Sequence, residues 1–150
     1  MAEEQLVFTL EGGDVVIKLR PDLAPKHVEQ ITKLARDGFY DGLTFHRVID
    51  GFVAQGGCPN GNGMGGSGTN IPAEFSAEPH QRGTMSMARA ADPDSASSQF
   101  FICLDAVPYL DNQYTVWGEV VSGMEHVDAL PKGEPPAKPG KIVKASVVEA

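Results

Sequence analysis

The side chains best suited to chemistry lie close together, in the segment FHRVIDGFVAQGG that begins at Phe45. It combines a guanidinium at Arg47, an aromatic ring at Phe52 and an amide at Gln55. Arg47 is always protonated and holds its N–H groups in a rigid fork, which suits a fixed hydrogen-bond donor. Alternate side chains of an extended chain share a face, so we predict that Phe45 lies beside Arg47 and Val53 beside Gln55. Composition alone favours a simpler interpretation, core phenylalanines beside a solvated arginine.

A glycine-rich stretch offers a second candidate, because residues 61–66 match the pattern GxGxxG. A dinucleotide site requires that pattern to open a helix, whose N-terminus receives the pyrophosphate. The residues SGTNIP that follow show no helical period, and no Lys-Ser/Thr pair follows to make a phosphate-binding loop. We therefore expect a surface loop shaped by glycine and no bound nucleotide.

Metal and nucleophile chemistry find little support. The histidines match no metal-binding spacing, so we expect them to be hydrogen-bonded or to face solvent, and we expect no metal or other cofactor; they are His27, His46, His80 and His126. The serines near residues 95–98 lack the GxSxG elbow of a hydrolase. Cys58 and Cys103 lie far apart without a CxxC motif, which favours two thiols in a reducing cytoplasm.

Length and charge bound the remaining possibilities. The chain has 150 residues, 41% of them apolar, which predicts one folded domain over residues 1–150. Its net charge is −8, which argues against binding nucleic acid through an overall basic surface. No run approaches the ~18 apolar residues of a membrane span. The N-terminus, MAEEQLVF, is acidic where a secretory signal would be basic, so we expect a cytoplasmic location.

The elements that must position these side chains are mostly strands. Apolar residues alternate with polar or small ones in eight short segments separated by turn residues. The predicted strands are 6–10, 15–19, 44–49, 52–55, 83–87, 99–103, 115–121 and 142–148. Pro25 suits a first helical turn, apolar residues recur at helical spacing after it, and Gly38 suits the stop. A shorter helix is predicted over 123–130, so the pattern favours a β-barrel with helices over its ends.

The whole chain resembles the cyclophilins, the cyclosporin-sensitive peptidyl-prolyl isomerases, and most closely their bacterial single-domain members. The segment FHRVIDGFVAQGG is similar to the signature of that family. The resemblance continues, in order, in MSMARA from Met85, SQFFIC from Ser98, YTVWGEV from Tyr114 and the pair Gly123-Met124. It implies a mainly β fold, a closed eight-stranded antiparallel β-barrel capped by two α-helices, with its active groove on the outside.

The resemblance also implies an activity and a set of site residues. The expected activity is cis–trans isomerisation of X-Pro peptide bonds during protein folding, without a cofactor or covalent intermediate. The expected partners are proline-containing peptides in unfolded or flexible protein clients, and we expect a monomer. Motif positions imply catalytic roles for Arg47, Phe52 and Gln55, and substrate-binding roles for Val53, Ala88, Arg89, Gln99, Phe101, Tyr109, Leu110 and Tyr114.

The implied roles follow from what the reaction needs. Arg47 would donate to the proline nitrogen of the twisted bond, and Gln55 would orient Arg47 or hold the substrate carbonyl. Ala88 and Arg89 would bind the peptide main chain. The proline pocket would be formed by Phe52, Val53, Phe101 and Leu110. The alternative is a non-catalytic proline-peptide-binding or chaperone module, which would share the groove but could dispense with Arg47.

Three positions depart from the best-known eukaryotic pattern of the family. Tyr109 stands in place of a groove tryptophan that contacts cyclosporin, Tyr114 in place of a groove histidine and Val53 in place of a pocket methionine. The tyrosines keep aromatic surface, so we expect catalysis to survive. A tyrosine cannot present an indole N–H, so we expect weak cyclosporin binding. Trp117 lies in a predicted strand and is expected to be a core residue.

Overall fold

The described part of the chain folds into eight strands and two helices, as predicted from the sequence. This computed structural model describes residues 4–59, 66, 67, 69–76, 78–89, 92, 94–111, 113–133, 136 and 139–149, without the side chains of Glu4, Tyr109 and Glu149. Most of the GxGxxG segment lies outside this range. None of the helices described there is long and apolar enough to cross a membrane.

The observed boundaries lie within a few residues of the predicted ones. The strands are β1 (Glu4–Leu10), β2 (Asp14–Leu19), β3 (Arg47–Ile49), β4 (Val53–Gly56), β5 (Thr84–Met87), β6 (Phe100–Cys103), β7 (Val116–Ser122) and β8 (Ile142–Glu149). The helices are α1 (Pro25–Arg36) and α2 (Met124–Asp128), and a single 3-10 turn spans Pro108–Leu110. The second helix is shorter than predicted, and β3 lacks the first three residues of its predicted strand.

The strands form one antiparallel sheet in the order β3-β4-β6-β5-β7-β2-β1-β8. The prediction of a closed barrel is overstated, because no ladder joins the edge strands β3 and β8 in the described residues. An isolated bridge between Thr44 and Lys141 joins the segments just before the two edge strands, and a second bridge joins Val48 of β3 to Gly133 in the loop that precedes β8. Since β3 is only three residues long, residues just before it meet the start of β8, and the Phe45 N–H donates to Gly140 O at 2.9 Å.

The predicted pairing of Phe45 with Arg47 on one face is wrong. Phe45 is fully buried in the barrel, and its ring meets Phe100 edge-on at 6.0 Å between centroids. It precedes β3, so the two-residue alternation begins only at Arg47. Val48 then points into the core while Arg47 faces outward to a groove. The second prediction is confirmed, because Val53 and Gln55 both face that groove.

Aromatic side chains fill the centre of the barrel. The ring of Phe100 contacts those of Phe8, Tyr40 and Trp117, with centroids 5.1, 5.7 and 6.4 Å away. All four side chains are buried, which confirms Trp117 as a core residue. Because the interior is packed, a ligand site must lie on the outer surface of the sheet.

The longer helix covers this core with an apolar face. Within α1, Ile31, Leu34 and Ala35 are buried at helical spacing. Its first turn is closed from outside the helix by Glu74, whose carboxylate accepts from the backbone N–H of His27 at 2.8 Å. Gly38 follows its end with φ of 78°, a conformation that glycine adopts at little cost.

Candidate active site

Sheet register places four functional positions in one row across four strands. Arg47 on β3 pairs with Gln55 on β4, and Gln55 pairs in turn with Phe101 on β6. Phe101 pairs with Ser86 on β5. The row therefore runs from a cation through an amide to an aromatic ring, in an order that the ladder hydrogen bonds fix.

This row underlies an open groove of about 210 Å³ on the outside of the sheet. Each lining residue that the structure describes is one of the site residues predicted above: Arg47, Phe52, Val53, Gln55, Ala88, Arg89, Phe101, Leu110 and Tyr114. Gln99, also predicted, touches the groove indirectly through a hydrogen bond to Gln55. The side chain of Tyr109 lies outside the described part of the chain, although its backbone belongs to the 3-10 turn.

One wall of the groove is apolar and separate from the barrel core. Its buried members are Val53, Phe101, Cys103 and Val107, and partly buried Phe52, Ala88, Leu110 and Tyr114 pack against them. The Phe101 and Tyr114 rings meet edge-to-face at 85°, with centroids 5.6 Å apart. This geometry is favourable for aromatic pairs and fixes the ring planes. The wall offers a pocket for an apolar ring.

The opposite side of the groove is polar and is also held in place. Arg47 Nη1 donates to Gln55 Oε1 at 3.4 Å, and Gln55 Nε2 donates to Gln99 Oε1 at 3.0 Å. The Arg47 guanidinium carbon also lies 5.9 Å from the centroid of the Phe52 ring. The cation is therefore oriented by an amide and an aromatic ring at the edge of the apolar pocket.

A residue that sequence analysis did not assign to the site, His80, supports Phe101 from behind. The imidazole is stacked on the Phe101 ring at 21°, with centroids 6.0 Å apart. Its Nδ1 lies 3.0 Å from Asp111 Oδ1, and its Nε2 lies 3.0 Å from Ser86 Oγ. Ser86 Oγ in turn donates to Thr115 O at 3.0 Å. No motif links these positions, so only their folded proximity identifies the group.

The charge states of His80 and its partner Asp111 have clear causes. Burial lowers the pKa of His80, although the hydrogen bond to Asp111 opposes the shift. The backbone N–H of His80 donates to Asp111, and this bond, with the imidazole, lowers the pKa of the carboxyl. Above about pH 6.5 the pair is therefore a neutral imidazole beside an ionised carboxylate.

The expectation that the histidines are hydrogen-bonded or face solvent holds only in part for two of them, although Nδ1 of His27 lies 2.7 Å from Glu74 Oε1. His27 Nε2 and His46 Nδ1 are buried and have no hydrogen-bond partner in the described residues. Burial lowers the pKa of both, and Arg47 further lowers the pKa of His46. The fold holds these rings within packed apolar surroundings, which favour the neutral imidazole.

We predict that stability falls as the pH drops below about 6.5. The pKa values of His27, His46 and His80 are lower in the folded chain than the unfolded value near 6.5, so the unfolded chain binds more protons in that range. Each histidine adds a slope of at most about 1.4 kcal/mol per pH unit.

Urea unfolding at pH 7.5 and 5.5 measures this effect, and His80→Gln should reduce the slope. The lowered pKa values of Glu74 and Asp111 act at lower pH, because their contribution is lost only as those carboxylates become protonated. A free energy of unfolding that is constant or rises between pH 7.5 and 5.5 would contradict the prediction.

The described side chains that line the groove include no group suited to covalent or metal chemistry. Among the described residues, no three His, Cys, Asp or Glu side chains are placed to hold a metal ion. Both cysteines are buried and form no disulfide. Burial raises the pKa of the Cys103 thiol to about 12, so the thiolate needed for nucleophilic attack does not form near neutral pH.

Comparison of the sequence with known proteins identifies related proteins. The family described as "Cyclophilin type peptidyl-prolyl cis-trans isomerase/CLD" matches residues 6–147. The chain is 51% identical to "Probable peptidyl-prolyl cis-trans isomerase" of Brucella suis, over 97% of this chain and 83% of that protein. It is 48% identical to "Peptidyl-prolyl cis-trans isomerase B" of Bacillus subtilis, over 85% of this chain and 90% of that protein.

A solved structure extends the comparison to three dimensions. It is a cyclophilin type peptidyl-prolyl cis-trans isomerase of Cryptosporidium parvum, crystallised in the presence of the dipeptide Ala-Pro. The two chains are 29% identical and superpose with a TM-score of 0.90, over 97% of this chain and 99% of that one. The sequence and fold comparisons agree, and the chain belongs to the cyclophilin-type peptidyl-prolyl cis-trans isomerases.

Proposed function

We propose that this groove binds X-Pro segments of unfolded or flexible protein chains and rotates the X-Pro bond between cis and trans. The observation that carries the proposal is the row of Arg47, Gln55 and Phe101, which sets a fixed cation beside an apolar pocket. The related Cryptosporidium parvum protein, crystallised in the presence of Ala-Pro, supports the same class of ligand.

The reaction is a rotation and requires no bond to be made or broken. Amide resonance gives the C–N bond double-bond character and a barrier of ~18–20 kcal/mol. Uncatalysed X-Pro bonds therefore exchange in roughly 10–100 s. Twisting the bond ends the resonance, returns a lone pair to the proline nitrogen and makes the carbonyl less polar. A catalyst must bind this twisted state better than either planar isomer.

The apolar wall meets the first part of that requirement. The proline ring would lie against Phe101, with Val53, Phe52 and Leu110 around it. Such surroundings solvate a polar planar amide poorly and the less polar twisted amide comparatively well. The wall also holds the ring while the rest of the peptide turns.

Arg47 meets the second part. Its N–H groups lie at the pocket edge, where one can donate to the lone pair that forms on the proline nitrogen. The planar bond offers no such acceptor, so the hydrogen bond favours the twisted state selectively. Gln55, 3.4 Å from Arg47 Nη1, orients the guanidinium and can also meet the substrate carbonyl. Gln99 holds Gln55 in turn.

The substrate main chain would follow the end of β5. The Ala88 N–H donates to Gln99 O at 2.9 Å, and we propose that the Ala88 carbonyl accepts from a peptide N–H of the substrate. Arg89 lies beside it, fixed by its Nη2 donating to Gln113 O at 2.7 Å. All of these groups belong to one chain, so one copy carries the whole proposed site, and we propose that the protein acts as a monomer. The two buried thiols support a reducing, cytoplasmic location.

Exchange measurements on a short X-Pro peptide test the function. At catalytic protein concentration, the cis and trans resonances of the peptide should interconvert far faster than the uncatalysed 10–100 s. A peptide with the proline replaced by alanine is the control for non-specific binding. Unchanged exchange with a folded protein sample would refute the proposed activity.

We predict weak cyclosporin binding. Tyr109 and Tyr114 replace the groove tryptophan and histidine of the eukaryotic pattern, and a phenol cannot place an indole N–H at the ligand. In a titration that follows the exchange of an X-Pro peptide, inhibition should therefore require micromolar or higher concentrations of cyclosporin. Tyr109→Trp should strengthen the inhibition. Nanomolar inhibition of the unaltered chain would contradict the prediction.

A further inference from the structure

Arg89 is held between two aromatic rings at one end of the groove. Its guanidinium carbon lies 4.8 Å from the Tyr114 centroid and 5.8 Å from the Phe75 centroid. Its Nε and Nη2 atoms donate to Gln113 O at 3.2 and 2.7 Å. Stacking and these hydrogen bonds immobilise a side chain that would otherwise sample many rotamers. Phe75 is 42% exposed, so much of its ring remains at the surface.

This arginine contributes to a local positive charge on an acidic protein. The net charge of the chain is −8, yet the described lining of the groove includes two arginines, Arg47 and Arg89, and no carboxylate. A fixed positive charge in such surroundings attracts anionic groups locally, although the net charge of the chain is negative. The groove is therefore expected to favour anionic groups over cationic ones.

The distance from the proline pocket limits which substrate residue Arg89 can meet. Tyr114 meets Phe101 at 5.6 Å, and Arg89 stacks on Tyr114, so one ring separates the guanidinium from the pocket wall. Consecutive Cα atoms are 3.8 Å apart. A side chain one or two residues from a proline seated on Phe101 can therefore reach Arg89.

We propose that Arg89, set by Phe75 and Tyr114, forms a subsite for an acidic side chain within two residues of the substrate proline. The inference rests on the proposed isomerase function and adds a substrate preference to it. A carboxylate carries the charge that complements this fixed guanidinium, whose Nε and Nη2 edge donates to Gln113 O. The preferred substrates are then X-Pro segments that carry aspartate or glutamate beside the proline.

A set of matched peptides tests the preference. Each peptide carries Glu, Gln or Lys at one of four positions, the two residues before the proline and the two after it. The kcat/KM of each peptide is measured at low salt. At one of these positions the Glu/Gln ratio of kcat/KM should reach about two- to fivefold, as expected of a solvent-exposed ion pair. Lys should be poorer than Gln there. The ratio should fall toward one near 1 M salt, where the screening length is about 3 Å.

Variants assign the preference to the subsite. Arg89→Gln should abolish the Glu/Gln ratio, whatever it does to the rates themselves, and Arg89→Lys should retain part of it. Phe75→Ala should reduce the ratio, because it removes one face of the stack. Lys144→Gln, at an exposed position of β8 opposite Thr9, removes the same charge outside the groove and should leave the ratio unchanged.

The outcomes separate the subsite from the isomerase function. Catalysis of the Gln peptides with no Glu preference at any position would overturn the acidic subsite and leave the isomerase function intact. A preference that survives Arg89→Gln would overturn the role of Arg89. Absence of catalysis with every peptide would refute the proposed function itself.

Discussion

Arg47→Ala is expected to lower kcat/KM for an X-Pro peptide by about 10²–10³, equivalent to ~2.7–4 kcal/mol of transition-state stabilisation. The estimate comes from the loss of a single preorganised donor in other enzymes that stabilise developing charge or lone pairs. Arg47 lies at the groove edge and is oriented by Gln55, so its removal takes away a donor that is already in place. Exchange kinetics at matched concentrations of folded protein measure the loss.

Two further variants show whether the donor or the charge is responsible. Arg47→Lys keeps the positive charge but loses the rigid fork, so it should recover only part of the activity. Lys144→Ala removes a positive charge from β8 and should leave kcat/KM unchanged. If Arg47→Ala retained more than about a third of the activity, the donor mechanism would be wrong.

Phe100 and Phe101 are expected to separate stability from activity although they are adjacent. Phe100 faces the barrel core and contacts four aromatic rings, so Phe100→Ala should lower the free energy of unfolding by about 3–5 kcal/mol. Phe101 faces the groove, and Phe101→Leu should lower kcat/KM at least about tenfold through loss of pocket contact. Urea unfolding and exchange kinetics on both variants provide the comparison.

A loss of several kcal/mol is a large part of the stability of an ordinary domain, so Phe100→Ala can fail to fold. In that case the milder variant Phe100→Leu is compared with Phe101→Leu. Phe100→Leu should lower the urea midpoint while kcat/KM of the folded protein stays within about twofold of the unaltered chain. A large fall in kcat/KM for Phe100→Leu, without one for Phe101→Leu, would show that the two faces of β6 are assigned wrongly.

Most of the fold, and the residues that meet at the groove, could be predicted from the sequence. Two-residue alternation within β4 and β6 places Val53 and Gln55 on one face, and sets Phe101 opposite to Phe100. The resemblance to the cyclophilins supplied the register between distant strands, which alternation alone does not contain. Only that resemblance therefore allowed us to predict that the separate segments form one groove.

The errors in the prediction arise where long-range contacts override local pattern. Phe45 enters the core because its segment pairs with Gly140 before β3 begins, so alternation could not be extended back from Arg47. Closure of the barrel is likewise decided by chain segments far apart in sequence. His80 carries no motif, and its place beneath Phe101 depends on Asp111 and Ser86, which only the fold brings to it.

The central claim is that the groove stabilises the twisted X-Pro bond more than the planar one, and one measurement tests it directly. The affinity for a proline peptide and the exchange rate of the bound peptide are determined together, for the unaltered chain and for Arg47→Ala. The account predicts that affinity changes only a few-fold, while exchange of the bound peptide slows by about 10²-fold or more. Slow exchange in both proteins, with the peptide still bound, would contradict it and indicate a proline-binding module.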